Sequence, residues 1–247
     1  MNIREVFNKL EDFLFDPHNC ICCNGECDLD NNYRICSKCK DKLTFIDKSF
    51  CLKCGDKIGD TYDFCQYCQN NNFDFDYSRS VLCYDETSSP MIIKFKYNGQ
   101  KMYKYPLSHL LFDYFKESDL VVNSVTYVPM PKKRQKERGY NQALELAQEF
   151  ARLSGLPFYD FLERNEDKAI KQSTLNAKDR KENIKGTIGA INKRAIKSKD
   201  ILLIDDVSTT GATTSECARV LKKCGARTVC VLTVAKTPRE MAFVNKQ

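Results

Sequence analysis

The sequence predicts an α/β fold, a parallel sheet flanked by helices, preceded by a small N-terminal zinc-binding module. Two observations support this prediction. Residues 201–204 are four consecutive aliphatic residues, with the length and branching of a strand that is buried on both faces, as in parallel sheets. Cysteines before residue 70 recur in pairs separated by two residues, which is the spacing of zinc knuckles.

Residues 201–214 read ILLIDDVSTTGATT and contain the clearest functional signal in the chain. Asp205 and Asp206 follow the aliphatic run, where the strand is expected to leave the core. Small and hydroxylated residues around Gly211 then lead into a helix expected over residues 214–224. Free N–H groups at the start of a helix attract phosphate, and paired carboxylates accept hydrogen bonds from a diol or hold magnesium. The stretch therefore predicts a ribose 5-phosphate site.

Ordinary capping in a strand–turn–helix connection is the alternative interpretation of this stretch. Turn chemistry alone does not require two acids, a cradle of small residues and an aliphatic strand in this order. The stretch is not a Walker A loop, because no Gly-Lys-Ser/Thr follows at the required spacing, and it contains no G-x-G-x-x-G. Residues 201–213 resemble the ribose-phosphate binding signature of phosphoribosyltransferases.

Length and composition allow one full core and a smaller module beside it. The chain has 247 residues, and its aromatic content of 11% and near-average charge argue against global disorder. The formal net charge is +6, but residues 1–80 hold 10 Lys/Arg against 14 Asp/Glu, which leaves 29 against 19, or +10, for residues 81–247. This balance suits an anionic ligand such as a phosphate ester, a nucleic acid or a membrane surface.

The first residues, MNIREVFNKLEDFLF, are interrupted by charge too often for a signal peptide, and no apolar run approaches the length of a membrane span. A cytoplasmic location is therefore expected, with a peripheral position at the inner face of the membrane left open. Apolar residues recur here at helical spacing, which predicts an N-terminal amphipathic helix within residues 1–18. Docking on the protein's own core is the favoured role of this helix, and a membrane or partner contact is the alternative.

Ten of the 14 cysteines lie within residues 19–72, which are predicted to form a double zinc ribbon. Two residues between thiols let both sulfurs of a tight knuckle face one ion, and two knuckles complete a tetrahedron. Because all-sulfur sites leave no open position for water, the two zinc ions are assigned to folding rather than catalysis. The eight predicted ligands form four pairs: Cys20/Cys23, Cys36/Cys39, Cys51/Cys54 and Cys65/Cys68.

The sequence leaves alternatives open for this module. A disulfide framework or redox use competes with zinc, although nothing upstream directs secretion and a reducing cytosol opposes disulfides. Pairing the knuckles in sequence order gives two consecutive ribbons, whereas cross-bracing would join the first knuckle to the third and the second to the fourth. Cys22 or Cys27 could displace Cys20 or Cys23 as a ligand, and His18 is a further substitute.

Polar residues 69–72 are the predicted linker to an α/β domain over residues 73–247. A strand, a helix and a strand in succession near its end predict a right-handed parallel crossover. Its predicted strands lie at residues 79–84, 125–128, 201–204 and 228–235, and its predicted helices at residues 90–95, 103–116, 141–153 and 214–224.

Two basic segments belong to this domain. The segment KKRQKERGYNQ is expected to begin with a basic loop at the carboxyl edge of the sheet, where ligands of open α/β sheets bind. A solvated basic loop is the alternative. Residues 168–199 carry 10 basic residues against two acids and predict a mobile loop or a small ribbon, either merely soluble or bound to phosphodiester. Candidates in the first segment for contact with a diphosphate or a nucleic-acid backbone are Lys132, Lys133, Arg134 and Arg138.

Three features occur in order along the chain: paired cysteine knuckles, the segment VPMP…RGYNQ, and ILLIDDVSTTGAT. With these features the sequence resembles the ComF-type competence proteins over almost its whole length. The resemblance implies a double zinc ribbon followed by a type I phosphoribosyltransferase-like domain. It also implies a role in bringing single-stranded DNA into the cytoplasm during natural transformation, alongside a helicase-like ATPase.

Residue roles follow from this resemblance by position. Asp205 and Asp206 would accept the ribose hydroxyls of phosphoribosyl diphosphate and help to hold Mg²⁺. Purine-salvage enzymes place an acid where this chain has Thr209, so no catalytic residue is assigned. The residues that would enclose the 5-phosphate are Thr209, Thr210, Gly211, Ala212 and Thr213.

Three functions are compatible with these features. The leading one is a DNA-uptake factor whose phosphoribosyltransferase-like fold binds phosphoribosyl diphosphate or a nucleic-acid 5-phosphate. The second is an active phosphoribosyltransferase of unknown acceptor. The third is a zinc-ribbon adaptor for nucleic acid or protein, in which the second domain is only a scaffold.

Overall fold

The computed structural model describes residues 19–27, 32–46, 49–59, 62–97, 99–165 and 184–239. The predicted helix within residues 1–18 and the larger part of the lysine-rich interval lie outside these residues. Within the described ranges, no helix is both long and apolar enough to cross a bilayer.

A four-stranded parallel sheet forms the centre of the α/β domain. Its strand order is β1-β6-β5-β2, and all three pairs of neighbours are parallel. The helix α8 (Ala212–Lys223) connects β5 to β6 and supplies the crossover that parallel neighbours need. The predicted parallel sheet is confirmed. Its strands are β1 (Tyr77–Cys83), β2 (Ser124–Tyr127), β5 (Asp200–Ser208) and β6 (Thr228–Lys236).

Helices cover both faces of this sheet, with bounds close to those predicted. Asn141 begins α6 by accepting a hydrogen bond from the Ala143 N–H, and Gly155, with φ of +70°, ends it. The helices of the α/β domain besides α8 are α3 (Ser89–Tyr97), α4 (Lys104–Glu117), α5 (Lys132–Arg138), α6 (Gln142–Ser154) and α7 (Lys193–Ile196), with a 3-10 turn at Lys101–Tyr103.

The central strand β5 is buried on both faces, as its aliphatic run predicts. Leu202 and Ile204 pack in the core that includes α4 and α6, whereas Ile201 and Leu203 pack in the core that includes α8. This alternation follows from the two-residue period of a strand. The prediction that the strand ends before the two carboxylates is wrong. β5 continues to Ser208, because β6 pairs with it along the whole of that extension.

The prediction of a basic loop at residues 132–138 is also wrong, because these residues form the helix α5. Pro131, with extended backbone, precedes the helix, and Gly139, with φ of +81°, ends it in the left-handed conformation. The residues between are lysine, arginine, glutamine and glutamate, all of which favour helices. The helix propensity of these residues therefore favoured a helix, but the high density of charge in the segment obscured that pattern.

The cysteine module lies along β1, the edge strand of the sheet. Its first half includes α1 (Ser37–Lys40) and joins the core that contains α3 and α4, whereas its second half includes α2 (Gln66–Asn70) and joins the core beside α8. Of the predicted linker, residues 69–72, the first two end α2. Phe73, which follows this segment, stacks on Phe75 with ring centroids 4.7 Å apart.

A second, two-stranded sheet lies beside the main one. Its strands β3 (Leu162–Arg164) and β4 (Ile188–Ala190) are antiparallel and flank residues 166–183. β4 belongs to the lysine-rich interval and pairs with β3, which precedes that interval, so the described part of the interval contributes one strand to a small ribbon. Arg164, at the end of β3, reaches the site described next.

Candidate ligand site and metal clusters

The four cysteine knuckles gather into two clusters, paired in sequence order. The four sulfurs of each cluster lie within 4.8 Å of one another. In a tetrahedron with Zn–S bonds of about 2.3 Å, sulfurs are about 3.8 Å apart. The Sγ atoms of Cys23 and Cys36 in the first cluster are 3.9 Å apart, and those of Cys54 and Cys65 in the second cluster are 3.7 Å apart. Both clusters therefore fit zinc, and the cross-braced alternative is not adopted. The clusters are Cys20, Cys23, Cys36 and Cys39, and Cys51, Cys54, Cys65 and Cys68.

The spare cysteines do not replace these ligands. Cys22 is buried, with its Sγ 3.8 Å from the Met91 Sδ, and burial raises the pKa of Cys22 to about 12. Cys27 is partly buried against the same core. None of the 14 cysteines forms a disulfide, and His18 lies outside the described residues. Cys22 is therefore a packing residue that keeps its proton.

A cavity of about 520 Å³ opens at the carboxyl ends of β2 and β5, the edge where ligands of α/β sheets bind. Its polar lining comes from segments far apart in the sequence. Carboxylates, hydroxyls and basic side chains thereby face one volume. The charged and hydroxyl residues that line it are Lys96, Arg134, Arg138, Arg164, Asp205, Asp206, Thr209, Thr210 and Thr213.

The segment RGYNQ fixes the basic wall of this cavity. The Asn141 Nδ2 donates to the Val128 carbonyl at 3.1 Å, which ties the start of α6 to the end of β2. Gln142 is 0% exposed, and its Oε1 accepts from the Arg138 Nη1 at 3.1 Å. Because Gln142 is fixed by its burial, it holds the Arg138 guanidinium at the cavity.

Lys96 enters the cavity from the C-terminal turn of α3. The Tyr140 hydroxyl donates to the Phe95 carbonyl and so attaches α3 to the RGYNQ segment. The Lys96 Nζ lies 3.4 Å from the Asp206 Oδ1, and only 18% of the lysine side chain and 12% of the aspartate side chain are exposed. One carboxylate of the acid pair thus has a cationic partner in the protein itself.

The other carboxyl group, that of Asp205, lies in surroundings that disfavour its charged form. Burial and the charge of Asp206 raise the pKa of Asp205 to about 8, against the lowering effects of the Asp206 N–H, Lys96 and Arg138. The Asp206 N–H donates to the Asp205 Oδ1 at 2.9 Å. Two adjacent acids in this setting favour a divalent cation or hydroxyl donors, either of which stabilises the ionised carboxylate.

The turn between β5 and α8 forms the third wall. Gly211 has φ of +78°, and a Cβ at this position would lie 3.0 Å from the Phe73 ring, so a residue without a side chain is needed. The Ser215 N–H donates to the Gly211 carbonyl at 2.9 Å. The backbone N–H groups of the first turn of α8 that come before Ser215 have no acceptor within the helix. The start of α8 is therefore suited to an anion.

The structure brings most of the predicted ligand residues together. Gly211 and Ala212 form the turn and the first position of α8 behind the lining threonines. Lys132 and Lys133 are exposed on α5 and do not line the cavity. The sequence analysis missed three groups: Lys96 and Arg164 in the lining, and Gln142 as the residue that holds Arg138. Lys96 and Arg164 belong to no motif, whereas Gln142 belongs to RGYNQ.

These features define the class of protein: a double zinc ribbon joined to an α/β domain with a central parallel sheet. The family model described as "Double zinc ribbon domain" matches residues 10–70. The chain is 29% identical to Competence protein F of Haemophilus influenzae over 230 residues, which cover 90% of this chain and 98% of the relative. It is 25% identical to Competence protein ComFC of Bacillus subtilis, over 83% of this chain and 89% of the relative.

A third relative is DNA utilization protein YhgH of Escherichia coli, which is 26% identical over 83% of this chain and 92% of the relative. The chain is therefore similar over most of its length to the ComF-type competence proteins, as its motifs predicted.

Solved phosphoribosyltransferase-fold structures are similar to part of the chain. Glutamine phosphoribosylpyrophosphate amidotransferase from B. subtilis aligns with a TM-score of 0.37 and 20% identity, over 51% of this chain and 25% of that chain. Adenine phosphoribosyltransferase from Leishmania tarentolae aligns with a TM-score of 0.36 and 13% identity, over 55% of this chain and 71% of that chain. These similarities concern the fold and not the ligands.

Proposed function

We propose that this protein is a ComF-type competence factor that binds phosphoribosyl diphosphate and handles single-stranded DNA during natural transformation. The observation that carries the proposal is the convergence of an acid pair, a hydroxyl-rich turn and basic side chains on one cavity of about 520 Å³. The double zinc ribbon is assigned to residues 19–72 and the ligand-binding domain to residues 73–247.

The parts of the proposed ligand correspond to the walls of the cavity. Asp205 and Asp206 accept hydrogen bonds from the two ribose hydroxyls. The turn before α8 binds the 5-phosphate through backbone N–H groups and threonine hydroxyls, helped by the helix dipole. Arg134 and Arg138 bind the diphosphate, for which guanidinium groups have a matching geometry.

Magnesium fits the same site, because hard carboxylate oxygens are its preferred protein ligands. The acid pair would hold it, and the ion would neutralise the diphosphate charge. The raised pKa of Asp205 marks a charge conflict that a cation next to the pair relieves. Lys96 supplies part of the neutralisation without an ion, through its pair with Asp206.

Binding without group transfer is the proposed activity. Asp205 and Asp206 are the only acidic residues among the described residues that line the cavity. Thr209, beside them, offers a hydroxyl and has no carboxylate to handle the proton of an acceptor base. Incubation with phosphoribosyl diphosphate, magnesium and a panel of nucleobases is therefore expected to release no diphosphate. Release would favour the alternative, an active phosphoribosyltransferase.

The DNA-handling role rests on the competence relatives and on the basic helix α5. Lys132, Lys133 and Lys136 are exposed on α5, beside the cavity that Arg134 and Arg138 line. Such a surface supports salt-sensitive contacts with a phosphodiester backbone. A cytoplasmic location, a peripheral position at the inner face of the membrane and a helicase-like ATPase partner belong to the same proposal.

A complementation experiment tests this role. A competent host that lacks its own homologue is transformed with marker DNA after receiving the wild-type gene or the double variant Asp205→Asn with Asp206→Asn. The matched control is Asp119→Asn, an exposed acid that does not line the cavity. The double variant is expected to lose transformation and the control to keep it. Equal transformation by the double variant, at equal protein level, would contradict the role of this site.

A further inference from the structure

Lys236 is a buried lysine on the far side of the phosphate-binding turn. It is the last residue of β6 and is 1% exposed. Its Nζ donates to the Thr209 carbonyl at 2.9 Å and approaches the Ser208 Oγ at 3.4 Å. Lys236 lines a second cavity, of about 680 Å³, and does not line the ligand cavity. Its ammonium therefore holds the turn from behind.

The contact with the Thr209 carbonyl has a geometric consequence for the next residue. A trans peptide points its C=O and the following N–H in opposite directions, and the described chain contains no cis peptide. When the Thr209 oxygen is fixed toward Lys236, the Thr210 N–H points away from Lys236. Thr209 and Thr210 both line the ligand cavity, which Lys236 does not line. The lysine thereby sets the direction of one N–H donor.

Asp56 and the second cysteine cluster supply negative charge near this buried lysine. Lys236, Asp56 and the ligand Cys65 line the same cavity. Burial lowers the pKa of Lys236, and Asp56, Cys54 and Cys65 oppose this lowering. A zinc ion with four thiolates carries a net charge of about −2. The ammonium thus bonds the Thr209 carbonyl and shares a cavity with a ligand of the second cluster, which would be anionic with zinc bound.

The second zinc ribbon also packs against the same turn. The Phe73 ring occupies the space beside Gly211 and lies 5.7 Å, centroid to centroid, from the ring of Tyr67. Tyr67 belongs to α2, between two ligands of the second cluster. The Asp74 N–H donates to the Ser215 Oγ of α8 at 3.0 Å. Contacts from the ribbon side therefore support both the turn and the helix start.

We infer that Lys236 is a positioning residue for the anion site: by holding the Thr209 carbonyl, it turns the Thr210 N–H toward the phosphate of the bound ligand. The inference rests on the proposed function, because it concerns the same cavity. It adds that the second zinc ribbon, through Lys236 and Phe73, contributes to the shape of that cavity without contacting the ligand.

Calorimetric titration with phosphoribosyl diphosphate and Mg²⁺ tests the inference on the full-length zinc-loaded protein. Lys236→Met replaces the lysine with an apolar side chain of similar length. The dissociation constant of this variant for phosphoribosyl diphosphate is expected to rise by about tenfold or more, since a charge-assisted hydrogen bond is lost. The control is Lys57→Met, which removes an exposed lysine from the rim of the same second cavity. An exposed charge contributes little, so this control is expected to bind within about twofold of wild type.

Amide spectra separate positioning from a general loss of structure. In the wild type, ribose 5-phosphate is expected to shift the Thr210 amide proton downfield, and this shift should be absent in Lys236→Met while both zinc ions remain bound. If Lys236→Met does not fold, Lys236→Gln takes its place, and the wild-type Thr210 shift still tests the geometry. Wild-type affinity in the folded variant, or an unmoved Thr210 amide at saturation, would overturn the inference. A wild type that binds no ligand would overturn the proposed function instead.

Discussion

The Lys96 Nζ lies 3.4 Å from the Asp206 Oδ1, within an acid pair that is largely enclosed by protein. The lysine comes from α3 and the aspartate from β5, and the RGYNQ segment bonds to α3 through Tyr140 and Gln142. This contact partly neutralises two adjacent carboxylates before any ligand binds. It also places a cation in the lining of the ligand cavity.

Removal of this lysine is expected to weaken binding of phosphoribosyl diphosphate. In Lys96→Met the acid pair loses its cationic partner and the ligand loses a positive neighbour, so the dissociation constant should rise by about tenfold. Lys94→Met on the same helix is the control, because Lys94 contacts Asn24 in an exposed position. Calorimetric titration of both variants measures the difference. Equal affinities would show that Lys96 has no role in binding.

The raised pKa of Asp205 predicts a pH dependence of stability in the absence of ligand and magnesium. The pKa is 3.8 in the unfolded chain and about 8 in the native protein. Between these values the native state holds a proton that the unfolded state has released, so stability falls as pH rises from about 4 to about 8. The amide of Asp205→Asn does not titrate over this range, so the free energy of unfolding of this variant should fall less as the pH rises.

Thermal unfolding at pH values between about 6 and 9 tests this prediction and avoids acid release of zinc. The melting temperature of Asp205→Asn, relative to wild type, is expected to increase up to about pH 8 and then to level off. Asp119→Asn serves as the control and should follow the wild type at every pH. A difference between Asp205→Asn and wild type that does not change with pH would contradict a raised pKa.

Zinc content tests the assignment of the two clusters. The purified wild-type protein should contain two zinc ions per chain, one for each group of four thiols. Cys54→Ser removes a ligand of the second cluster and should leave one ion, whereas Cys22→Ser, which alters a buried cysteine outside both clusters, should retain two. Elemental analysis of the three proteins measures this. Two ions in Cys54→Ser would contradict the ligand set.

Gly211→Ala tests the packing of the second ribbon against the phosphate-binding turn. The new Cβ would adopt φ of +78° and lie 3.0 Å from the Phe73 ring. Gly155→Ala is the matched control, because it has φ of +70° and nothing within 4 Å of the new Cβ. Each variant should lose about 1 kcal/mol from backbone strain, and Gly211→Ala should lose more. Equal losses in denaturant unfolding would mean that Phe73 does not constrain the turn.

The sequence was sufficient for the elements with strong local patterns. Residues 201–204 predicted a doubly buried strand, and the cysteine spacing predicted both clusters. The boundary of β5 was misjudged, because its extension to Ser208 depends on pairing with β6, which is not a local property. The helix α5 was missed, since a run of charges has no apolar face to reveal its period.

The missing members of the site have a different cause. Lys96 and Arg164 reach the cavity only because α3 and β3 pack near the carboxyl edge of the sheet. Nothing in the neighbouring sequence distinguishes them from other basic residues of a chain that has 39 Lys and Arg. Lys236 is similar: it follows the predicted strand at residues 228–235, and only the fold shows its contact with the Thr209 carbonyl.

The most direct test of the central proposal is calorimetric titration of the zinc-loaded protein with phosphoribosyl diphosphate and Mg²⁺. The wild type and Asp119→Asn are expected to bind, and the double variant Asp205→Asn with Asp206→Asn is expected to lose binding while it keeps both zinc ions and its fold. Unchanged binding by the double variant, or no binding by the wild type, would contradict the assignment of this cavity as the ligand site.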